Sequence, residues 1–231
     1  MGIVAILKHP GRSESLIYSY LAMRRIIGVL AILLPVIIVT GGFMQKGFVV
    51  EGSLSSYYYT NMRDFFVGML SGVALFLLSY KGYELIDDVV TNLSGLFALG
   101  IIAFPTSKFS GHVVKVGIFL TPDNVSQYIH LAFSIAFLLS LAFNSMFLFT
   151  RHGGAPSREK KTRNVIYIVS GWLMLACIVG MVAYIAFYSN TALAKWRPVL
   201  VFETVALISF GVSWLVKGNT LFRDKQLSAI R

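Results

Sequence analysis

The chain has 231 residues, of which 56% are hydrophobic and 13% charged, and its formal net charge is +10. A mean hydropathy of +0.74 excludes an ordinary soluble domain, because such a domain needs more charge to cover its surface. The positive charge does not indicate nucleic-acid binding, since most basic residues lie in short segments between apolar runs. The composition predicts an all-α, polytopic membrane protein.

Six apolar runs approach the length of about 20 residues that a helix needs to cross a bilayer. We therefore expect one domain, residues 1–231, built as a bundle of six transmembrane helices. The segment "SESLIYSYLAMRR" before the first run is either an interfacial helix or an extension of the first span. The predicted spans are residues 26–43, 65–79, 89–104, 128–150, 165–188 and 198–216.

The basic residues predict the orientation of these spans, because cytoplasmic loops carry an excess of lysine and arginine. With a cytoplasmic N-terminus, fourteen of the 20 basic residues fall inside. The six that fall outside are Lys46, Arg63, Lys108, Lys115, Lys195 and Arg197. We expect both termini to be cytoplasmic. The inside residues are Lys8, Arg12, Arg24, Arg25, Lys81, Arg151, Arg158, Lys160, Lys161, Arg163, Lys217, Arg223, Lys225 and Arg231.

The second span begins with an unusual stretch, "SLSSYYYTNMRDFFVGMLSG", in which a hydroxyl-rich run leads into Arg63 and Asp64. Asp64 precedes Gly68 by four residues and therefore lies on about the same helical face. Gly68 and Gly72 have the GxxxG spacing that lets transmembrane helices pack closely. Asp64 is predicted either to line a polar site or to cap the helix, where a carboxylate complements the helix dipole.

Two further ionisable residues lie within spans and on the same predicted side of the membrane as Asp64. His130 lies near the outer end of the fourth span, and Glu203 follows Pro198 by five residues, about 7.5 Å deeper in the sixth. A charged side chain inside a membrane is costly and marks a functional-site hypothesis. The alternatives are a histidine hydrogen-bonded to a backbone carbonyl and a glutamate held in a structural ion pair. Nearby loops add Tyr57, Tyr58, Tyr59, Asn61, Arg63, Thr106, Ser107, His112, Asp123 and Arg197.

Known catalytic and cofactor motifs are missing from the sequence. It contains no HExxH pair, no P-loop, no dinucleotide fingerprint and no nucleophile elbow, although Ser55 with His130 would be a conceivable nucleophile and base. We therefore predict no cofactor and no metal site, and we leave open whether the protein is an enzyme.

Three longer motifs carry a family resemblance: "SSYYYTNMRDFFVGMLSGVALFLLSYKGY", "NLSGLFALGIIAFPTS" and "FETVALISFGVSWLVKG". On these, the chain resembles an uncharacterised family of bacterial membrane proteins, described as a domain of unknown function. It is also distantly similar to the DRAM-like six-helix membrane proteins. The resemblance covers about residues 26–218 and implies a six-helix bundle in a bacterial inner membrane. It implies no catalytic residue.

The leading functional hypothesis is a polar pocket open to the periplasm that binds a lipid headgroup, a small ligand or a partner protein, with membrane lipids around it. One alternative is an intramembrane hydrolase, with or without a metal, using Asp64, His130 and Glu203. The other is a transporter of a small molecule or protons, with Glu203 as the titrating group. In the pocket hypothesis Arg63 and Arg197 favour an anionic group. The predicted ligand-binding residues are Tyr57, Tyr58, Tyr59, Arg63, Asp64, His130, Arg197 and Glu203.

Overall fold

The structure is a computed structural model that describes residues 12–44, 50–82, 84–108, 114–151 and 157–220, with side chains from residue 19 onward. The predicted outer-loop residue His112 lies outside these ranges, and so do the basic residues Lys8, Lys46, Arg223, Lys225 and Arg231. The described chain contains six α-helices: α1 Arg12–Phe43, α2 Arg63–Ser79, α3 Leu85–Ala103, α4 Asp123–Phe143, α5 Arg158–Ala183 and α6 Pro198–Lys217.

Smaller elements connect or extend the helices. Single π-helical turns continue α4 at Asn144–Leu148 and α5 at Tyr184–Tyr188. Short 3-10 helices cover Ser55–Tyr59 before α2 and Ala192–Trp196 before α6. An antiparallel hairpin lies between α3 and α4, with β1 at Lys115–Val116 paired to β2 at Thr121–Pro122.

Among the described residues, five stretches of helix are long and apolar enough to cross a membrane, as expected for the predicted membrane class. With 17 residues, α2 is about 26 Å long, slightly less than the roughly 30 Å hydrocarbon core of a bilayer. The predicted second span, residues 65–79, nevertheless coincides with α2. The five stretches are Ser19–Phe43, Leu85–Ala103, Asp123–Leu148, Arg158–Tyr188 and Pro198–Lys217.

At the starts of α3, α5 and α6 the sequence caps or removes free helix N–H donors. The Ser157 hydroxyl accepts the Lys160 N–H at the start of α5, at 3.0 Å. A capping box of Glu84 and Asp87 starts α3. Pro198 occupies the first turn of α6, where its missing N–H has no helical acceptor to lose.

The helices form a closed ring, because each packs against its neighbours in sequence and α1 packs against α6. Consecutive helices are antiparallel, so the first half of α1 lies beside the ends of α2 and α6. There the Arg24 guanidinium donates to the Tyr80 hydroxyl at 2.9 Å and to the Lys217 carbonyl at 3.3 Å. We call this the basal end. The opposite end is the cap end, because residues 50–62, the cap segment, fold over it.

The basal end is packed with cations and aromatic rings. Arg24 is 4% exposed, and its guanidinium lies 4.3 Å from the centre of the Tyr20 ring. The buried Lys160 ammonium donates to the Phe149 carbonyl at 2.8 Å. The fully buried Trp214 ring makes edge contacts with Tyr80 and Phe149. Such contacts let the aliphatic stems and rings fill the space between helix ends.

Close helix contacts occur at glycines, including one of the pair predicted for α2. A Cβ on Gly68 would meet no atom within 4 Å, and one on Gly72 would meet only Leu30 at 3.4 Å. The expected packing is therefore present at Gly72 and not at Gly68. Helix α1 approaches α6 closely, since a Cβ on Gly28 would lie 2.8 Å from the Gly211 carbonyl oxygen.

Candidate functional site

The cap segment is anchored to the bundle by buried side chains and backbone hydrogen bonds. Leu54 and Tyr57 are 2% and 0% exposed, and a Cβ on Gly42 of α1 would lie 2.6 Å from the Tyr57 ring. The Gly52 carbonyl accepts the Leu200 N–H of α6 at 3.1 Å. The cap segment therefore forms one wall of any site at this end of the bundle.

The three consecutive tyrosines of the cap segment use their hydroxyls for internal contacts. The Tyr59 hydroxyl donates to the Thr106 carbonyl at 2.7 Å, and burial raises its pKa to about 12. Burial also raises the pKa of Tyr57, whose hydroxyl accepts the Glu51 N–H at 3.4 Å. Arg63 donates to the Tyr58 hydroxyl at 2.8 Å. The tyrosines thus hold the cap segment in place.

Asp64 and Arg197 lie near the cap end but away from its interior. Asp64 is exposed in the first turn of α2, where it complements the helix dipole, and it makes no hydrogen bond or ion pair with the part of the chain that the structure describes. Arg197 is half-buried and takes a left-handed conformation, with φ 50, immediately before α6. Its charge lowers the pKa of Tyr57 against the larger effect of burial.

Glu203 joins α6 to the cap segment. Its Oε2 atom accepts the Leu54 N–H at 2.5 Å, and its carboxylate also accepts the Ser55 hydroxyl. The ion pairs among the described residues are Lys81–Asp88, Lys108–Glu51 and Arg151–Glu84, and Glu203 takes part in none of these. In place of the predicted structural ion pair, Glu203 therefore accepts two hydrogen bonds from uncharged donors.

His130 links α4 to the end of α3. Its Nδ1 atom lies 2.8 Å from the Phe104 carbonyl oxygen and 3.2 Å from that of Ile101. Both partners are acceptors, so Nδ1 carries the hydrogen and Nε2 presents a lone pair when the ring is neutral. The carbonyl contact expected from the sequence is thus present at one ring nitrogen, and the other can still accept a hydrogen bond from a ligand.

Two cavities meet at Glu203. The cap-end cavity lies between α4, α5, α6 and the cap segment and is lined in part by Gln127, His130 and Glu203. The central cavity is lined mainly by apolar side chains such as Leu34, Phe66 and Phe137. Among the described residues, no lysine or arginine lines either cavity. The residues common to both linings are Ser55, Ser134, Leu138 and Glu203.

The predicted site residues therefore separate into two groups. His130 and Glu203 line the same cavity, whereas the lining includes none of the others. Those that lie elsewhere at the cap end are Tyr57, Tyr58, Tyr59, Arg63, Asp64 and Arg197.

Sequence reasoning missed two polar residues of α4 that line the cap-end cavity. Gln127 accepts the Thr106 hydroxyl at 2.6 Å and the Ser107 N–H at 2.5 Å through Oε1, which leaves its amide hydrogens available as donors. Ser134 lies at the junction of the two cavities. Both could have been found from helical spacing, because they lie three residues before and four residues after His130, on the same face.

Among the described residues, no group of three or more His, Cys, Asp or Glu side chains is placed to hold a metal ion. Asp64 does not join His130 and Glu203, so the three residues proposed for a hydrolase do not form one cluster. Ser55 does share the cap-end cavity with His130 and Glu203.

The fold and its cavities define the class of this chain as an α-helical bundle with five helices long and apolar enough to cross a membrane. Its interior contains a carboxylate and an imidazole in one cavity next to an apolar cavity. Comparison of the chain with models of protein families, with curated proteins and with solved structures finds no match.

Proposed function

We propose that the chain is a six-span protein of a bacterial inner membrane that binds a small ligand in the cap-end cavity. The supporting observation is the meeting of Glu203, His130 and Gln127 in one cavity, beside a cavity lined mainly by apolar side chains. Small-molecule sites combine apolar walls with a few polar groups that fix the orientation of the ligand. Both features are present here.

The membrane topology in this proposal has α2 as the sixth span and both termini in the cytoplasm. The packing of α2 between α1 and α3 in the ring supports its spanning role. The excess of basic residues toward the basal end supports a cytoplasmic basal end, and the cap-end cavity then lies on the periplasmic side. Lipids are the surrounding partners of the bundle in this arrangement.

The chemistry of the lining differs from the anion-binding pocket expected from the sequence. Arg63 and Arg197 were expected to attract an anionic group, but neither belongs to the lining. Glu203, His130 through Nε2 and the serine hydroxyls offer acceptors, and the Gln127 amide offers donors. We therefore propose a ligand that donates hydrogen bonds to this cavity rather than an anion.

Small molecules that remain bound through purification test this proposal. Ser134 lies at the junction of the two cavities, so Ser134→Phe fills the site, whereas Ala132→Phe adds the same ring to the exposed face of α4. Native mass spectrometry should detect a retained ligand on the wild-type protein and on Ala132→Phe, but not on Ser134→Phe. Retention of the same ligand by all three proteins, or no ligand on the wild type, contradicts the proposal.

The hydrolase alternative now depends on Ser55, because Ser55 and Glu203 are hydrogen-bonded and share a cavity with His130. If the site performs acyl transfer, Ser55→Ala should abolish hydrolysis of a lipid ester while the ligand remains bound. If the protein is a carrier, Glu203→Gln should remove the pH dependence of flux in liposomes. Binding without turnover or flux is the outcome that we expect.

A further inference from the structure

The cap-end cavity has a side that α5 leaves uncovered. Every residue from Ile185 to Trp196 is exposed, although this stretch is continuous with a helix that is well packed in its basal half. The π-helical turn Tyr184–Tyr188 marks the change, since none of its residues is buried. Turns of this kind occur frequently at functional sites.

The uncovered side is apolar and leads to the cavity between α4 and α5. Its wall is formed by Leu131 and Ile135 of α4 and by Met181, Val182 and Ile185 of α5. Val182 and Ile185 are 48% and 44% exposed, so the wall continues onto the outer surface of the bundle. We call this gap between α4 and α5 the lateral seam. In a membrane the lateral seam would open to lipid and not to water.

The charge of the cavity complements one kind of head group. Among the described residues of its lining, Glu203 is the acidic one and none is basic, and Glu203 accepts the Leu54 N–H and the Ser55 hydroxyl. An ionised carboxylate at membrane depth is stabilised by an opposite charge. A ligand with a cationic, hydrogen-donating head group supplies that charge, and its donors also match the free Nε2 of His130.

We propose that the ligand is an amphiphile with an amine head group and an alkyl chain, which reaches the site from the bilayer through the lateral seam. The amine binds Glu203, and the chain lies along the apolar wall of the lateral seam or in the central cavity. This inference rests on the proposed binding function of the same cavity and adds the class of ligand and its access route.

Hexadecylamine, butylamine and palmitic acid are suitable probes, because they separate the effects of chain and charge. Native mass spectrometry of the purified full-length protein should detect bound hexadecylamine at concentrations where butylamine and palmitic acid do not bind. Glu203→Gln keeps an acceptor for the Leu54 N–H but removes the charge, so it should weaken hexadecylamine binding at least about tenfold.

Several results would overturn the proposal. If palmitic acid binds as well as hexadecylamine, the amine is not recognised. If butylamine binds as well as hexadecylamine, the alkyl chain is not recognised. If Glu203→Gln binds hexadecylamine with unchanged affinity, the carboxylate does not bind the amine. In each of these cases Ser134→Phe can still abolish binding, so the proposed function survives. The experiment therefore distinguishes a wrong ligand class from a cavity that binds no ligand.

The access route has a separate test. Ile185→Trp places a large ring in the lateral seam, and Ala186→Trp places the same ring at the adjacent exposed position outside the cavity lining. Hexadecylamine should associate at least about tenfold more slowly with Ile185→Trp than with Ala186→Trp, by steric blocking. Equal association rates overturn the route. A wild-type dimer that Ile185→Trp converts to monomers, with unchanged hexadecylamine binding, would instead assign the lateral seam to a second copy.

Discussion

The span Arg158–Tyr188, made of α5 and its π-helical turn, packs differently in its basal half and in its cap half, although both are apolar. In the basal half, Tyr167 and Met174 are 1% and 0% exposed, and a Cβ on Gly171 would lie 2.0 Å from Cγ of Met146 in the π turn after α4. Beyond Ala183, the cap half has no buried residue before α6 begins. The basal half therefore holds the ring closed, and the cap half leaves room for a ligand.

The ends of the bundle differ in charge as well. The basal end buries Arg24 and Lys160 among aromatic rings, whereas the described lining of the cap-end cavity contains Glu203 and no basic side chain. A buried cation packed against rings and carbonyls stabilises one fixed arrangement. A cavity with an acceptor side chain instead favours a ligand that carries the complementary charge. Charged side chains thus stabilise the fold at the basal end, and a charged side chain is available to a ligand at the cap end.

The largest effect should come from breaking the basal contact of α5. Gly171→Leu would force a side chain into the space of Met146, and overpacking of this kind costs about 1–3 kcal/mol in the free energy of unfolding. Gly68→Leu is the control, because a Cβ at Gly68 meets no atom within 4 Å. Denaturant titration in detergent measures both variants. Equal stability of the two would show that the basal half of α5 is not close-packed.

Removal of the Glu203 carboxylate should have the next largest effect. Glu203→Leu leaves the Leu54 N–H without its acceptor, which costs about 1–3 kcal/mol, whereas Glu203→Gln keeps an acceptor oxygen and should cost less. Hydrogen exchange at Leu54 reports the same bond directly. We expect faster exchange in Glu203→Leu than in Glu203→Gln. Equal exchange rates would mean that Glu203 does not hold the cap segment.

A smaller effect should appear at alkaline pH. The pKa of Tyr59 is about 12 in the folded protein and about 10 in the unfolded chain, so its protonated form stabilises the fold. This contribution is complete below about pH 10 and is lost as the pH rises toward about 12. Denaturant midpoints measured across this window should fall for the wild type and fall less steeply for Tyr59→Phe. Parallel plots of denaturant midpoint against pH for the two proteins would contradict a raised pKa of Tyr59.

The smallest effect should come from Asp64, because its exposed side chain has no partner in the described part of the chain. Asp64→Ala should change the free energy of unfolding by less than about 0.5 kcal/mol and leave hexadecylamine binding unchanged. Denaturant titration measures the free energy of unfolding and native mass spectrometry measures hexadecylamine binding, each with the wild-type protein as reference. A loss of hexadecylamine binding in Asp64→Ala would show that Asp64 contributes to the ligand site.

Much of the helical layout could be predicted, because apolar length alone identifies transmembrane helices. The predicted spans 65–79 and 198–216 coincide closely with α2 and α6, at Arg63–Ser79 and Pro198–Lys217. The shared location of His130 and Glu203 could also be anticipated, since both lie at similar depth near the same ends of their helices. Depth follows from counting residues along a helix.

The rotation of each helix about its axis could not be predicted. In a membrane helix both the lipid-facing and the core-facing sides are apolar, so periodicity does not separate them. Asp64 and Gly68 of α2 therefore seemed suited to the interior, whereas the structure buries Phe66, Leu70 and Val73 instead. For the same reason, the sequence did not predict that the residues from Ile185 onward would be exposed.

A structure of the protein in lipid nanodiscs with bound hexadecylamine tests the central claim most directly. We expect continuous density that passes between α4 and α5 beside Ile185 and ends with the amine within hydrogen-bond distance of the Glu203 carboxylate. A cap-end cavity closed by α5, or density for the amine only at the outer surface of the bundle, would contradict a ligand site at Glu203.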